Sequence, residues 1–389
     1  MPLGTVVTVF EERIVDAEYW QALCDGDRHA SLAAVRRLRA SGLTAAQIVA
    51  DHVVPAQRLI GDLWLAGEWT VAEEHAATAI SEGVVHWLGS FSDPPSSDRP
   101  LVLVSCLEKE QHALPALIVS EALVEAGYRV NYLGGSPDPD DLVLQVVRLR
   151  PRAVLFSGSL TSSLGRQKRL MAQIGTLGLP VIVGGAGFGS DGSRAEALGA
   201  TAWCASPAHA VELLRTLPER TERLRMPEPT MADEEAAWIE EHRAQIAGYV
   251  VAGLRDADHF SDELARSARG WLAELEGLAD HLVGCLSAAL VTGDETIMVE
   301  AHSWLAQVLV ARDVDTVLLV EAWSLLAESL RGHPLARAAV ASAASFAEQS
   351  VSDDAEPGAS GRGAADTQRA SSSGSGPSDA DEDARNDPV

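Results

Sequence analysis

The 389-residue chain is poor in several of the residues that mark whole protein classes. Its four cysteines, Cys24, Cys106, Cys204 and Cys285, stand far apart with no C-x-x-C pair, so neither a disulfide framework nor a zinc site is expected. Lysine occurs only at Lys109 and Lys168, and 30 Lys plus Arg face 56 Asp plus Glu. The resulting net charge of −26, with no segregated basic patch, opposes a nucleic-acid partner. There is no uninterrupted run of about 18 apolar residues of the kind that spans a bilayer. The opening Met1–Thr5 carries no positive region of the kind that precedes a secretory signal. A cytoplasmic protein without membrane contact is the expectation.

Apolar material is plentiful: 47% of residues are hydrophobic and 22% charged, enough to bury real cores across two or three domains. Residues 10–92 read as a helical bundle. Apolar positions recur at three and four from His29 to Leu38, Thr44 and Thr70 are placed to cap helices, and Pro55 should kink or divide the helix between them. A polar linker at 93–99, containing Pro94 and Pro95, then changes the period. Short apolar runs at Leu101–Cys106, Arg129–Leu133, Ala153–Ser157, Val181–Val183 and Thr201–Cys204 alternate with helical stretches near 113–126, 139–150, 164–177, 192–198 and 207–216. That alternation over 99–217 predicts a doubly wound, five-stranded parallel sheet covered on both faces.

From 230 to 349 the strand signal disappears, and Leu264, Trp271, Leu275, Leu278, Leu282 and Leu286 fall on one helical stripe, predicting an all-α domain. The whole chain is therefore multidomain, α and α/β. The tail over 350–389 is rich in Ser, Gly, Asp and Ala, has no aromatic residue, and is expected to be disordered.

Ligands of an open parallel sheet sit beyond the carboxyl ends of its strands, where strand order reverses. The loop after the first strand offers Glu110 and His112. The loop after the third offers the hydroxyls of Ser157, Ser159 and Thr161, and the loop after the fourth offers Gly184 and Gly185, where backbone can approach a ligand closely. Such a site suits a large, flat, metal-containing cofactor with a phosphate-bearing tail.

The three loops resemble the cobalamin-binding signature D/E-x-H-x-x-G, then S-x-L, then GG, with 41 residues separating Pro115 from Ser157. The domain it implies is Rossmann-like, of the flavodoxin-like type. By that resemblance His112 is the lower axial ligand of cobalt, replacing the cofactor's own base, and Glu110 holds its other ring nitrogen. Ser157, Ser159 and Thr161 contact the displaced nucleotide tail, and Gly184 with Gly185 make room for it. The sequence departs from the signature at Pro115, where Gly is usual, and at Ser159, where Leu is usual; proline still suits the first turn of a helix.

Upstream, Trp64 is followed by Glu74-His75 in a W-x9-E-H pattern that resembles adenosylcobalamin-dependent light receptors. The resemblance implies that Trp64 stacks over the adenosyl group while Glu74 and His75 hydrogen-bond it. The residue after the tryptophan is Leu65, so a histidine photoproduct ligand from that position is not expected.

The order of helical cap, cobalamin domain and all-α domain is similar to the photocobilins, receptors that hold adenosylcobalamin beside a bilin. That implies biliverdin in the helical domain, with His242, His259, His281 and His302 as candidate polar contacts. Arg243, Arg255, Arg266 or Arg269 would meet the propionates, and Cys285, one turn from His281, is a candidate thioether. No H-E-x-x-H, P-loop or nucleophile elbow occurs there, so the expectation is a non-enzymatic light sensor in signal transduction that changes its homo-oligomeric state. Two other readings share the cofactor domain: a corrinoid methyl carrier serving a methyltransferase, and a cobalamin-dependent regulator that acts without light.

Overall fold

The computed structural model describes residues 15–256 and 271–354. Leu264, His259, Arg266, Arg269 and the acidic tail from residue 355 lie outside that range. Five helices open the described chain: α1 (Ala17–Cys24), α2 (Arg28–Ala40), α3 (Ala45–Ile48), α4 (Val54–Leu65) and α5 (Val71–Gly89). Both expected caps are present as reciprocal boxes. Thr44 accepts from the Gln47 N–H while the Gln47 side chain takes the Thr44 N–H, and Thr70 and Glu73 do the same at α5. The break expected at Pro55 takes the form of a π turn over Val49–Val53, which leaves Pro55 in the first turn of α4, where its missing N–H costs little.

The α/β region runs β1 (Leu101–Cys106), α6 (Leu114–Glu125), β2 (Arg129–Tyr132), α7 (Pro139–Leu149), β3 (Ala153–Ser157), α8 (Gln167–Thr176), β4 (Val181–Gly184), α9 (Ser193–Ala197), β5 (Ala202–Cys204) and α10 (Pro207–Thr216). All four strand pairs are parallel, in the order β2-β1-β3-β4-β5, so the expected five-stranded doubly wound sheet is what forms. Its order reverses between β1 and β3. The helix expected near 164–177 begins later, because Thr161–Arg166 tightens into a 3-10 turn before α8.

Alternation along the strands sorts side chains to two cores. Val102, Val104, Leu155 and Ile182 pack under α6 and α10. Leu103, Val154, Phe156, Val181 and Val183 face the other way, into a core continuous with the C-terminal helices. Those helices are α11 (Met231–Asp256), α12 (Trp271–Thr292), α13 (Thr296–Val310), α14 (Val317–Ser329) and α15 (Pro334–Asp354). Leu275, Leu278, Leu282 and Leu286 of the expected stripe are all buried in this shared core.

The segment Glu274–Thr292 of α12 has the length and mean hydropathy, 1.3, of a membrane span, a feature that the search for an unbroken apolar run missed. In the fold 67% of it is buried inside the protein, so its apolar surface is consumed by the core.

Candidate functional site

The loop after β1 turns sharply because Lys109 adopts φ 63°, a left-handed conformation costly for a side-chain-bearing residue. The turn is pinned from outside: the Lys109 N–H donates to Ser136 Oγ at 3.0 Å, and the Ser136 N–H donates to the Glu110 carbonyl at 2.9 Å. Its effect is to drive the Glu110 side chain inward, where its exposure is 0%.

The Glu110 carboxylate then serves two loops. Oε1 accepts the His112 backbone N–H at 2.8 Å and meets the His112 ring at Nδ1 at 2.5 Å. Oε2 accepts the N–H groups of Ser159 and Leu160, in the loop after β3, at 2.7 and 2.9 Å. Burial pushes the Glu110 carboxyl up, but the His112 bonds and the Leu160 N–H outweigh it and hold it below the ordinary carboxylate range. The bond to Glu110 raises the His112 imidazole above its ordinary value against the opposing effect of burial, and the cap's Glu74 adds to the attraction. With Nδ1 engaged, Nε2 is the nitrogen left to act, on a ring that remains 41% exposed.

His112 opens into a cleft of about 1310 Å³ between the helical cap and the sheet, larger than ordinary small-molecule pockets. The cleft brings together Glu74, His112, Ser157, Ser159, Gly184 and Gly185. It continues as a slot between the strand ends and helices α6 and α10, walled by small or apolar residues such as Ala116, Val119, Ala208 and Val211. Pro115, in the first turn of α6, also lines it.

The two glycines are required by the protein's own packing. A Cβ on Gly184 would meet the Cys204 carbonyl oxygen and sulfur at 2.8 Å, and Gly185 has φ 106° with the Gly158 oxygen 2.4 Å from where its Cβ would stand. They let the loop after β4 lie down on the loop after β3. Sequence reading missed Gln57, Arg58 and Thr78 of the cap, and Ser206 after β5, all of which line the cleft. Ser206 could have been found from Ser-Pro at a helix start, since it caps α10.

Trp64, His75 and Thr161 do not line the cleft. Thr161 begins the 3-10 turn, and His75 is exposed on α5. Trp64 stacks on Trp304 of α13 with ring centroids 5.8 Å apart, and the Arg312 guanidinium lies 5.1 Å from its centroid. Arg312 also donates to the Trp64 carbonyl at 3.4 Å, and the Trp64 Nε1 is buried without a hydrogen-bond partner.

Trp304 in turn meets His281, at 4.9 Å. Burial, and then Arg243, push that imidazole down to about 4; Glu110 and His112 are also within its electrostatic reach. The other candidate contacts of the helical domain are already engaged. His242 stacks on Trp238 and bonds its carbonyl at 2.9 Å, buried His302 accepts from Trp323 Nε1 at 3.2 Å, and Arg255 pairs with Glu276. Cys285 is buried beside His281 Nε2 at 3.4 Å, and burial pushes its thiol up to about 12.

Among the described residues no three His, Cys, Asp or Glu side chains cluster to hold a metal ion by themselves. A corrin-bound cobalt would ask less of the protein: one nitrogen donor and a cleft large enough for the group. A donor nitrogen freed by a buried carboxylate and the large cleft it opens into fit that group.

A parallel α/β domain with an imidazole at its switch point beneath a helical cap defines a cofactor-binding protein. Two family models agree on which cofactor. One described as a B12 binding domain matches residues 100–214, and a second of the same description matches residues 15–88. The chain is a cobalamin-binding protein.

Among solved structures it is similar to the monomethylamine corrinoid protein of Methanosarcina barkeri, at 20% identity and TM-score 0.45, over 51% of this chain and 96% of that one. A cobalamin-binding protein from Desulfitobacterium hafniense is similar at 21% identity and TM-score 0.29, over 51% and 95%. The methanol:cobalamin methyltransferase complex of Methanosarcina barkeri is similar at 14% identity and TM-score 0.28, over 58% and 95%. No curated protein matches the chain.

Proposed function

We propose that the protein is a light sensor that holds adenosylcobalamin between its cap and its sheet. The observation that carries this reading is the clamp on Trp64. The cap helix bearing it is tied to the C-terminal helices by the Trp304 stack, the Arg312 guanidinium and a backbone bond. A methyl carrier needs a cap that opens to let a partner reach the cobalt, whereas a cap fastened to a third domain is suited to report what lies beneath it. When bound, adenosylcobalamin supplies a cobalt–carbon bond that visible light breaks.

The chain's own residues do the rest. His112 would hold the metal through Nε2, with Glu110 fixing its tautomer and orientation. Glu74, already facing the cleft, would take a polar contact to the nucleoside, while His75 and Trp64, which do not line the cleft, would reach it only after a shift of the cap. Because the cap carries both Glu74 on the cleft and the Trp64 clamp on Trp304 and Arg312, a change in what the cleft holds would bias how the cap settles against the C-terminal helices, as in a ligand-biased two-state element. Biliverdin, held by the C-terminal helices, is the second chromophore of this reading. His281 is its best-placed contact, because it faces the Trp304–Trp64 stack. In this reading attachment is non-covalent, since Cys285 is buried in the core against His281.

Gel filtration of protein loaded with adenosylcobalamin, in darkness and after green light, tests the reading; a change in elution that accompanies the absorbance change supports it. Elution that stays constant while the bond is cleaved refutes a light-driven rearrangement. Tighter binding of methyl- than of adenosylcobalamin would instead favour the methyl carrier.

A further inference from the structure

We propose that Arg243, in the C-terminal helical domain, is a positioning residue for the lower axial ligand. It acts through the 3-10 turn at Thr161–Arg166. This rests on the assignment of His112 as the ligand.

Arg243 is 6% exposed, and its whole guanidinium is used. Nη1 donates to the Ser162 carbonyl at 2.9 Å and to Glu240 Oε1 at 3.3 Å. Nε and Nη2 hold both oxygens of Asp280, on α12, at 2.9 and 2.7 Å. Two glycines clear the space. A Cβ on Gly284 would stand 2.5 Å from the guanidinium carbon, and one on Gly165 would stand 2.0 Å from Ser287 Oγ and 2.6 Å from Glu240 Oε1. Glu240 is buried as well, and it also receives Arg166 Nε at 3.1 Å, while its backbone carbonyl accepts Arg166 Nη2 at 2.6 Å.

These contacts converge on one turn, and that turn follows directly on Ser159 and Leu160, whose N–H groups hold Glu110 Oε2. The path from helical domain to ligand is therefore short: Asp280, Arg243, the Ser162 carbonyl, the 159–160 amides, Glu110, His112. A turn gripped from behind keeps two amides aimed at Glu110, and Glu110 keeps the ring aimed at the metal. Removing the fork leaves buried Glu240 short of a partner and lets the turn move, so the cost should appear at the ligand.

The experiment loads the full-length protein, its histidines labelled with nitrogen-15, with unlabelled cob(II)alamin and reads the doublet fraction of the nitrogen superhyperfine splitting in the EPR spectrum together with the dissociation constant. Arg243→Met is expected to lower the histidine-ligated fraction and weaken binding about tenfold. Asp280→Asn, which loosens Arg243 at a half-exposed carboxylate, shifts both in the same direction, and it decides the matter alone if the methionine variant does not fold.

Arg194→Met is the control. Arg194 is an equally buried clamp between the two domains, bound to Asp294 and Glu300 at 2.7 Å each and to the Gly187 carbonyl at 3.4 Å, and its hydrogen bonds do not go to the 159–166 turn. It should leave histidine ligation intact. Full ligation in a folded Arg243→Met variant overturns the proposal, as does an equal loss in Arg194→Met, which would assign the effect to docking as a whole. His112→Ala separates the underlying assignment: if the nitrogen-15 doublet of labelled protein survives in it, His112 was never the ligand, whatever Arg243 does.

Discussion

Glu110→Gln is the substitution from which most can be learned. The carboxylate is fully buried and accepts three backbone N–H groups besides the His112 ring. Glutamine keeps the volume but replaces one acceptor oxygen with an NH₂ group and removes the charge. Whichever way the amide turns, at least one N–H group loses its acceptor. If the amide nitrogen faces the loop after β3, two do, those of Ser159 and Leu160.

At about 1–3 kcal/mol for each buried donor left unsatisfied, the apoprotein should lose roughly 1–6 kcal/mol. That is a large part of the ~5–15 kcal/mol typical of a native domain. The ligand suffers separately, because the neutral amide raises the ring's basicity less than a carboxylate does and fixes the same tautomer only when its oxygen faces Nδ1. Removal of such a partner typically costs about 10–100-fold in metal affinity, or roughly 1.4–2.7 kcal/mol. The assay is a cobalamin titration followed by absorbance, paired with a thermal melt of the apoprotein. A variant that binds within about threefold of wild type, where a 10–100-fold loss is expected, would show that Glu110 is merely a loop staple and would falsify its role beneath the metal.

Trp64→Ala should reduce the preference for adenosylcobalamin over other forms more than it reduces corrin binding itself; equal loss for every form would contradict an upper-face role. The raised His112 and lowered Glu110 make two-sided pH dependence. The imidazole's contribution to apoprotein stability is full below its unfolded value near 6.5 and fades as pH rises through the raised folded value. The carboxylate's contribution is present above its unfolded value near 4.5 and is lost as pH falls through the depressed folded one. Since a proton on Nε2 competes with cobalt, cobalamin affinity should climb with pH through and above the ordinary histidine range; a flat affinity profile in a series of titrations would argue against imidazole ligation. Gly185→Ala puts a methyl group against the Gly158 carbonyl at positive φ, and should cost at least ~1–3 kcal/mol in a urea or thermal melt. An unchanged midpoint would mean that the loop after β4 can move away freely.

The sheet was legible because a buried parallel strand writes itself as a short apolar run between helical periods, and five such runs can close in few ways. The pair Glu110 and His112 was legible for a local reason: two residues apart, just past a strand end, they must share one loop. Both threonine caps could be read from their own tetrapeptides.

What could not be read depends on partners distant in sequence. A stripe of leucines on α12 says that something is covered, and the structure supplies what covers it: a core shared with one face of the sheet. Trp64 carries no sign that its ring would lie on Trp304. The candidate histidines of the helical domain looked alike in sequence and separate only in three dimensions, His302 into the core with Trp323, His242 onto Trp238, and His281 against Trp304. Gly184 and Gly185 were recognised, but not the reason for them, because the atoms that forbid a side chain there belong to Gly158 and Cys204.

The most direct test of the account is the EPR spectrum of cob(II)alamin bound to protein whose histidines carry nitrogen-15, with the cofactor unlabelled. Coordination through His112 turns the nitrogen triplet of each hyperfine line into a doublet, and His112→Ala abolishes the change. A triplet that persists in labelled protein would mean that the cofactor keeps its own base on the metal, and the imidazole held by Glu110 is not its ligand.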